Sequence, residues 1–289
     1  MKKEIPAYTI ESLKSTSVET KEIDLFRFEY FAQDIEHLKA PHRHHFYTFI
    51  LVTAGNGSHD IDFKYYALKS GRLFLIAPGQ VHTWRELKSV TGYVLLFTDS
   101  FMALSKGRKL LSSWPLFRAH QTCFIDISNS EEKFWLEEFN FMEQELLHPD
   151  GFTRDAVFYS ISSLLVRVSR LAQKGRVAAD SVGQGFLFTF QELIEKNFIE
   201  LKSPKEYASL MNVTANHLNA LCKKKSGKSA GELIRQRIIL EAKRLLAHTK
   251  LSVSEIAFKL GFIDNSYFGR YFKKYTKKTP EAFRISQGE

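Results

Sequence analysis

The chain has 289 residues, 44% of them apolar and 25 of them phenylalanine, which excludes a disordered chain and allows two domains with their own cores. Its two cysteines, the absence of an apolar run long enough for a bilayer and an N-terminus without a secretion signal favour a cytoplasmic protein with no membrane partner. The net charge of +9 lies entirely in residues 186–289, where 19 Lys and Arg face 10 Asp and Glu, because residues 1–185 contain 22 of each.

Residues 8–100 predict short β-strands separated by turns. The run "FYTFILVTA" leads into "GNG" (55–57), a hairpin signal because Asn-Gly tolerates the positive φ angles of a type I′ turn. The strands "SHDIDFKYYAL" and "RLFLIA" follow, the second of them ending at a Pro-Gly turn. Strands at this spacing predict a sandwich or a barrel.

Histidines cluster at the start of this β-region. By period-two counting, His42, His44 and Thr48 share one strand face, whereas His45 points the other way, and "PGQVHTW" adds His82. Three interpretations remain open for these side chains. They could bind a transition metal, contact an organic effector, or pack at a barrel mouth without any ligand.

The pattern becomes helical after residue 130. "EEKFWLEEFNFMEQELL" and "FTRDAVFYSISSLLVRVSRLAQ" predict two helices within 131–173. An apolar stripe on the second helix could cover the barrel or pair with a second subunit, and it consists of Val157, Ile161, Leu164, Val168 and Leu171. The segment 174–185, small, polar and glycine-containing, is the predicted linker.

The C-terminal region predicts helices only, with clear start signals. "SPKE" (203–206), "SAGE" (229–232) and "SVSE" (252–255) are capping boxes, and Pro204 stands at the first helical position, where a missing N–H costs nothing. "TPEAF" (279–283) predicts a short last helix that begins in a similar way.

A repeat lies within this basic region. "EYASLMNVTANHLNALCKK" (206–224) resembles "EIAFKLGFIDNSYFGRYFKK" (255–274), and each copy predicts a helix, a tight turn and a second helix. Asn212 and Gly261 stand where the first helix must end in left-handed conformation. Thr214 and Asp264 are the caps of the second helices.

The second helix of each copy predicts one buried face and one polar face. At 100° per residue, the positions opposite the apolar residues are Asn216, Ala220 and Lys223, and Ser266, Arg270 and Lys273. This is the layout of a helix-turn-helix, in which amides and hydroxyls read base edges and Arg270 can donate two bonds to guanine. The phosphate contacts that we expect come from Thr214, Lys223, Lys224, Lys273 and Lys274. A solvated basic face is the simpler explanation of the charge alone.

The segment "SVSEIAFKLGFIDNSYFGRYFKKYTKKTPEAFR" resembles the signature of AraC-type bacterial transcription regulators, over about residues 186–289. The resemblance implies two helix-turn-helix units, about 203–226 and 252–275, joined by a central helix at about 230–247. The base-reading positions that it implies are Asn216, Asn219, Ala220, Asn265, Ser266 and Arg270. Ala220 departs from the family, where a longer polar residue is common, so readout by the first unit is expected to be weaker.

The N-terminal region is similar to the cupin-like effector domain of this family through "HRHHFYTF" and "GRLFLIAPGQVH". Metal-binding cupins place a carboxylate where this chain has Thr48, a poor metal ligand. We therefore expect no metal cofactor and no catalytic residues. The expected effector pocket consists of His42, His44, Thr48, His82 and Trp84.

The sequence thus predicts a multidomain α+β protein. A cupin-like β-barrel domain with a helical dimerisation segment (1–173) precedes the linker and an all-α DNA-binding domain (186–289). We expect a homodimeric regulator that binds double-stranded DNA under the control of a small-molecule effector, with RNA polymerase as a candidate partner. The alternatives are a constitutive DNA binder whose barrel only dimerises and a metal-dependent cupin enzyme with a DNA-binding appendage.

Overall fold

The computed structural model describes residues 4–13, 22–31, 39–103, 123–173 and 181–288. The chain forms two compact units, Pro6–Val177 and Ala178–Glu289, the latter together with Met1–Ile5. Among the helices in the described ranges, none combines the length and the apolar character needed to cross a bilayer.

The N-terminal unit is built around an antiparallel sheet in the order β2-β7-β4-β6-β8, with β5 paired to β4, and a small parallel pair of β1 and β3. The β-branched and aromatic residues of its long strands suit a sheet that is buried on both faces. The strands are β1 Ala7–Tyr8, β2 Ile23–Arg27, β3 Arg43–His44, β4 Tyr47–Ile61, β5 Lys64–Ala67, β6 Arg72–Ile76, β7 His82–Phe97 and β8 Phe124–Asp126.

The predicted hairpin at residues 55–57 is wrong, because β4 runs through "GNG" without turning. It stays paired with β7 on both sides of this segment, and the register shifts three times between Val52 and Ser58. Gly55, with φ +97°, is one of the bulged positions, and a Cβ there would lie 2.4 Å from the Cα of Val90. The chain turns only at Asp62 and Phe63, both with positive φ, before β5.

The two faces of the sheet belong to two separate cores. One core contains Phe46 and Ile50, and the other contains Phe49 and Leu51 together with residues of the helices. Those helices are α3 Asn129–Leu147 and α4 Thr153–Gln173, and two single-turn helices are α1 Phe28–Phe31 and α2 Asp99–Met102. The predicted stripe on α4 is packed in this second core, so it covers the sheet: Val157, Ile161, Leu164 and Val168 are fully buried and Leu171 partly so.

The C-terminal unit is helical, as predicted. The capping boxes are present: Glu232 Oε2 accepts the Ser229 N–H at 2.7 Å, and Ser229 Oγ accepts the Glu232 N–H at 3.2 Å. Of the predicted linker, 174–180 lies outside the described residues and 181–185 forms the start of α5. The helices are α5 Ser181–Asn197, α6 Pro204–Leu210, α7 Ala215–Ser226, α8 Ala230–His248, α9 Val253–Lys259, α10 Asn265–Thr276 and α11 Pro280–Gly288.

Candidate nucleic-acid interface and histidine cluster

The two helix-turn-helix units have the same backbone turn. Asn212 has φ +53° and Gly261 has φ +72°, so both first helices end in left-handed conformation, as the sequence predicts. The residue after each donates the equivalent hydrogen bond, from Val213 N–H to Ala208 O at 3.0 Å and from Phe262 N–H to Ala257 O at 2.9 Å. The sequence repeat is therefore a structural repeat.

The predicted caps fix the start of α7 and α10. Thr214 Oγ1 accepts the His217 N–H at 3.1 Å, and the Asp264 carboxylate accepts the N–H groups of Ser266 and Tyr267 at 2.8 and 3.1 Å. Each cap satisfies donors that a helix start leaves without partners, so the orientation of both helices is set locally.

One face of each of these helices is fixed in the core. Leu218 and Cys222 of α7, and Phe268 and Phe272 of α10, are fully buried. Burial raises the pKa of the Cys222 thiol to about 12, which fits a packing role. The opposite side of α7 and α10 is open to solvent and presents Asn216, Ala220, Lys223, Lys224, Asn265, Ser266, Arg270, Lys273 and Lys274.

Asn219 is an exception among the positions implied by the resemblance. It is only half-exposed, and its Oδ1 accepts the N–H of Ala230, the first residue of α8, at 3.0 Å. The amide oxygen therefore joins α7 to the central helix. The base-reading role that the resemblance implies for Asn219 stays a prediction.

Arg270 projects from the middle of the exposed face of α10. Its side chain is 72% exposed, and its nearest charged partner is the Asp264 carboxylate at 3.9 Å. A solvent-exposed pair at this distance contributes little free energy, so it does not hold the guanidinium in place. The guanidinium can therefore donate to another group.

The structure brings three of the five expected pocket residues together. His42 and His82 form a backbone bridge, with N–H to O distances of 3.1 and 2.9 Å. The ring centroids of His42, His44 and His82 lie 4.3 to 5.0 Å apart, and all three residues are at most 4% exposed. His45, expected on the other face, is exposed.

A fourth histidine, His59, joins this cluster and was not found from the sequence. Its Nε2 lies 2.8 Å from His82 Nδ1, and its ring stacks on Trp84 with centroids 3.7 Å apart. Trp84 therefore reaches the cluster through His59. Thr48 is buried two positions beyond Phe46, whose ring stacks on His44.

Burial also determines the charge of these imidazoles. Desolvation, reinforced by the neighbouring His42, lowers the pKa of His44, His59 and His82 well below the usual value for histidine. These three rings are therefore neutral at pH 7, the form in which imidazole binds a metal or accepts a hydrogen bond.

Comparisons with known proteins find relatives and a solved structure that match most of this chain. The transcriptional activator RhaR of Cronobacter sakazakii is 23% identical over 258 residues, covering 86% of this chain and 88% of RhaR. The uncharacterized transcriptional regulator YfiF of Bacillus subtilis is 26% identical, covering 84% and 78%. The structure of ToxT from Vibrio cholerae is 12% identical, with a TM-score of 0.40, and the match covers 91% and 97%.

Two family models match the chain, one in each unit. The model of the AraC-like ligand binding domain matches residues 27–105, and a model of the helix-turn-helix domain matches residues 207–286. Together they span more than half of the sequence. The chain belongs to the AraC family of DNA-binding transcription regulators, with a ligand-binding domain ahead of its helix-turn-helix domain.

Proposed function

We propose that α7 and α10 enter successive major grooves of double-stranded DNA and read the sequence through their exposed faces. The reading residues are Asn216, Asn219, Asn265, Ser266 and Arg270, and Ala220 offers at most a methyl contact to thymine. The observation that carries the proposal is the repeated geometry: two units with the same turn and equivalent caps, each exposing a polar face next to lysine pairs. Asn219 accepts the Ala230 N–H through its amide oxygen, which leaves its amide nitrogen to donate to a base.

The phosphate contacts follow from the ends of the same helices. Lys223, Lys224, Lys273 and Lys274 are exposed in the last turns of α7 and α10, and Thr214 is exposed at the start of α7. Lysine gives affinity and register without sequence information. We propose these five residues as the positioning contacts.

The double substitution Lys223→Ala/Lys224→Ala in the full chain tests this assignment. Binding to all DNA sequences should weaken by a similar factor, and the plot of log affinity against log salt should become shallower by about 0.9 for each phosphate that is no longer neutralised. Fluorescence anisotropy over a salt series measures both quantities. Lys250→Ala, an exposed lysine outside both units, is the control and should change neither. An unchanged salt slope in the double variant would remove α7 from the phosphate contacts.

Regulation is the second part of the proposal. We infer that a small-molecule effector contacts the N-terminal unit at His42, His44, Thr48, His82 and Trp84, and that its different affinity for two states of the protein changes DNA binding. DNA affinity that stays constant across a metabolite panel would favour a constitutive binder. Turnover of a substrate would favour an enzyme, which we do not propose because the named relatives are regulators. Relatives named activators also support RNA polymerase as a partner, and a bacterial regulator acts in the cytoplasm.

We further propose a homodimer that uses the outer side of α4. Because the sheet covers the apolar stripe of α4, a second subunit would have to bind another face of this helix. Tyr159 and Val166 of α4 are 69% and 42% exposed, and their spacing of seven residues places them on one side of the helix; Phe152, 76% exposed, stands directly before its first residue.

The variant Tyr159→Glu/Val166→Glu should be monomeric at concentrations where the unaltered chain is a dimer, because two carboxylates would be buried without partners. Sedimentation velocity gives the oligomeric state. Lys133→Glu on α3, where the lysine is 87% exposed, adds negative charge elsewhere on the helical layer and should leave the dimer intact. A double variant that remains dimeric would exclude this face.

A further inference from the structure

We propose that His42, His44 and His82 form a binding site for one divalent transition-metal ion, with Zn²⁺ as the ion that fits best. The three residues are 0%, 4% and 2% exposed, and their ligand nitrogens all lie within 4.8 Å of one another. Tetrahedral ligands at ordinary zinc–nitrogen distances stand about 3.4 Å apart. Small rotations of the imidazole rings are enough to reach that spacing.

Hydrogen bonds already orient two of the rings for this purpose. His42 Nδ1 lies 2.9 Å from the carbonyl oxygen of Ala40, which can only accept, so Nδ1 carries the proton and Nε2 carries a lone pair. His82 Nδ1 faces His59 Nε2 at 2.8 Å, and if Nδ1 donates, His82 Nε2 also presents a lone pair. Metal-bound histidines regularly use the second ring nitrogen in this way.

Among the described residues, the third ring, His44, has no hydrogen-bond partner. Both nitrogens of His44 are buried, as is His82 Nε2, and within the described residues no protein group forms a hydrogen bond with them. Buried polar atoms without partners cost free energy and call for an explanation. One ion bound between the three rings supplies a partner for His44 and for His82 Nε2.

The chemistry of the ligands selects the class of ion. Three imidazole ligands suit zinc and its neighbours in the first transition row, whereas calcium and magnesium need oxygen ligands. Among the described residues, the group contains no carboxylate, so a bound ion keeps its charge and an open coordination position. An anionic oxygen is the ligand that such a position favours, which suggests an organic acid as the effector. This last step rests on the proposed function, and metal binding itself does not.

The expectation of a metal-free domain was based on Thr48, which replaces a carboxylate. The geometry does not depend on that position, because three nitrogen ligands and one external ligand complete a tetrahedral site. His59 is the group that orients the His82 ring. Its stacking on Trp84 holds the imidazole against His82.

The test uses the full chain after removal of metal by a chelator. Titration with Zn²⁺ in competition with a chromophoric chelator should show one saturable site per chain, and Co²⁺ should give the intense visible absorption of a tetrahedral complex. His44→Ala and His82→Ala should abolish saturation. His45→Ala, which removes the exposed neighbouring imidazole, should leave the affinity unchanged.

His59→Phe tests whether His59 orients the His82 ring without being a metal ligand itself. Phenylalanine keeps a flat ring against Trp84 but cannot accept from His82, so the affinity for Zn²⁺ should fall about 10- to 100-fold without loss of stoichiometry. Near-UV circular dichroism checks that each variant is folded. The stoichiometry of the unaltered chain remains a test even if a variant fails to fold.

Absence of saturable binding by the unaltered chain would overturn the inference. A loss for His45→Ala as large as that for His44→Ala would do the same. DNA binding measured on the same samples separates this outcome from the proposed function. A chain that binds DNA but no metal contradicts only the metal site, whereas a chain that binds metal but no DNA contradicts the proposed DNA interface.

Discussion

Gly261→Ala should destabilise the C-terminal unit by about 2–5 kcal/mol, beyond the effect of Gly227→Ala. The two glycines have nearly the same backbone conformation, with φ +72° and +71°. Placing alanine in this left-handed region costs about 1–2 kcal/mol at either position. Only at Gly261 would the new Cβ meet other atoms, the carbonyl oxygen of Ile199 at 2.1 Å and Lys202 Nζ at 2.8 Å. Because the first of these is backbone, relieving the overlap requires shifting the chain, which adds about 1–3 kcal/mol.

Gly227→Ala is therefore the matched control. Within 4 Å, a Cβ at Gly227 would meet no atom, so its effect measures the cost of the backbone conformation alone. The three tryptophans lie in residues 1–173, so urea unfolding followed by their fluorescence reports the N-terminal unit and should be the same for both variants. Far-UV circular dichroism reports the helices. Equal losses in the two variants would mean that the contact with Ile199 relaxes freely.

Local signals explain why the C-terminal unit could be predicted closely from the sequence. A capping box, a left-handed helix end and an Asx cap each involve residues within four positions of one another. Ser252, Asn212 and Asp264 have the roles that their neighbours in sequence imply. The repeat then gives the arrangement of the helices, because the same signals occur twice.

The prediction of a hairpin at residues 55–57 was wrong because pairing with a strand distant in sequence decides the structure there. Glycine and asparagine permit positive φ both in a tight turn and in a β-bulge, so the local preference is the same for the two structures. Pairing with β7, more than 25 residues away in sequence, decides between them. The same limit applies to His59, which faces Trp84 only because of the β4–β7 register. Asn219 likewise meets Ala230 through the packing of α7 against α8.

Arg270→Ala should weaken binding to the preferred DNA site by about 1–3 kcal/mol and relax the preference at one base pair. The guanidinium lies one turn beyond Ser266 on the exposed face of α10, and Asp264 at 3.9 Å does not restrain it. It can donate two parallel bonds to the O6 and N7 atoms of guanine. The corresponding residue of α7, Ala220, cannot, so the second unit should contribute more to specificity than the first.

Lys273→Ala is the matched control on the same helix. Lys273 is exposed in the last turn of α10, where removing a lysine that neutralises a phosphate weakens binding to all sequences equally and makes the salt dependence shallower. Binding of both variants to a library of DNA sites, measured at two salt concentrations, distinguishes the two roles. If Arg270→Ala weakens every sequence by the same factor, Arg270 contacts the backbone. The base-reading face of α10 would then have to be assigned to Asn265 and Ser266 alone, since those side chains remain exposed at the start of the helix.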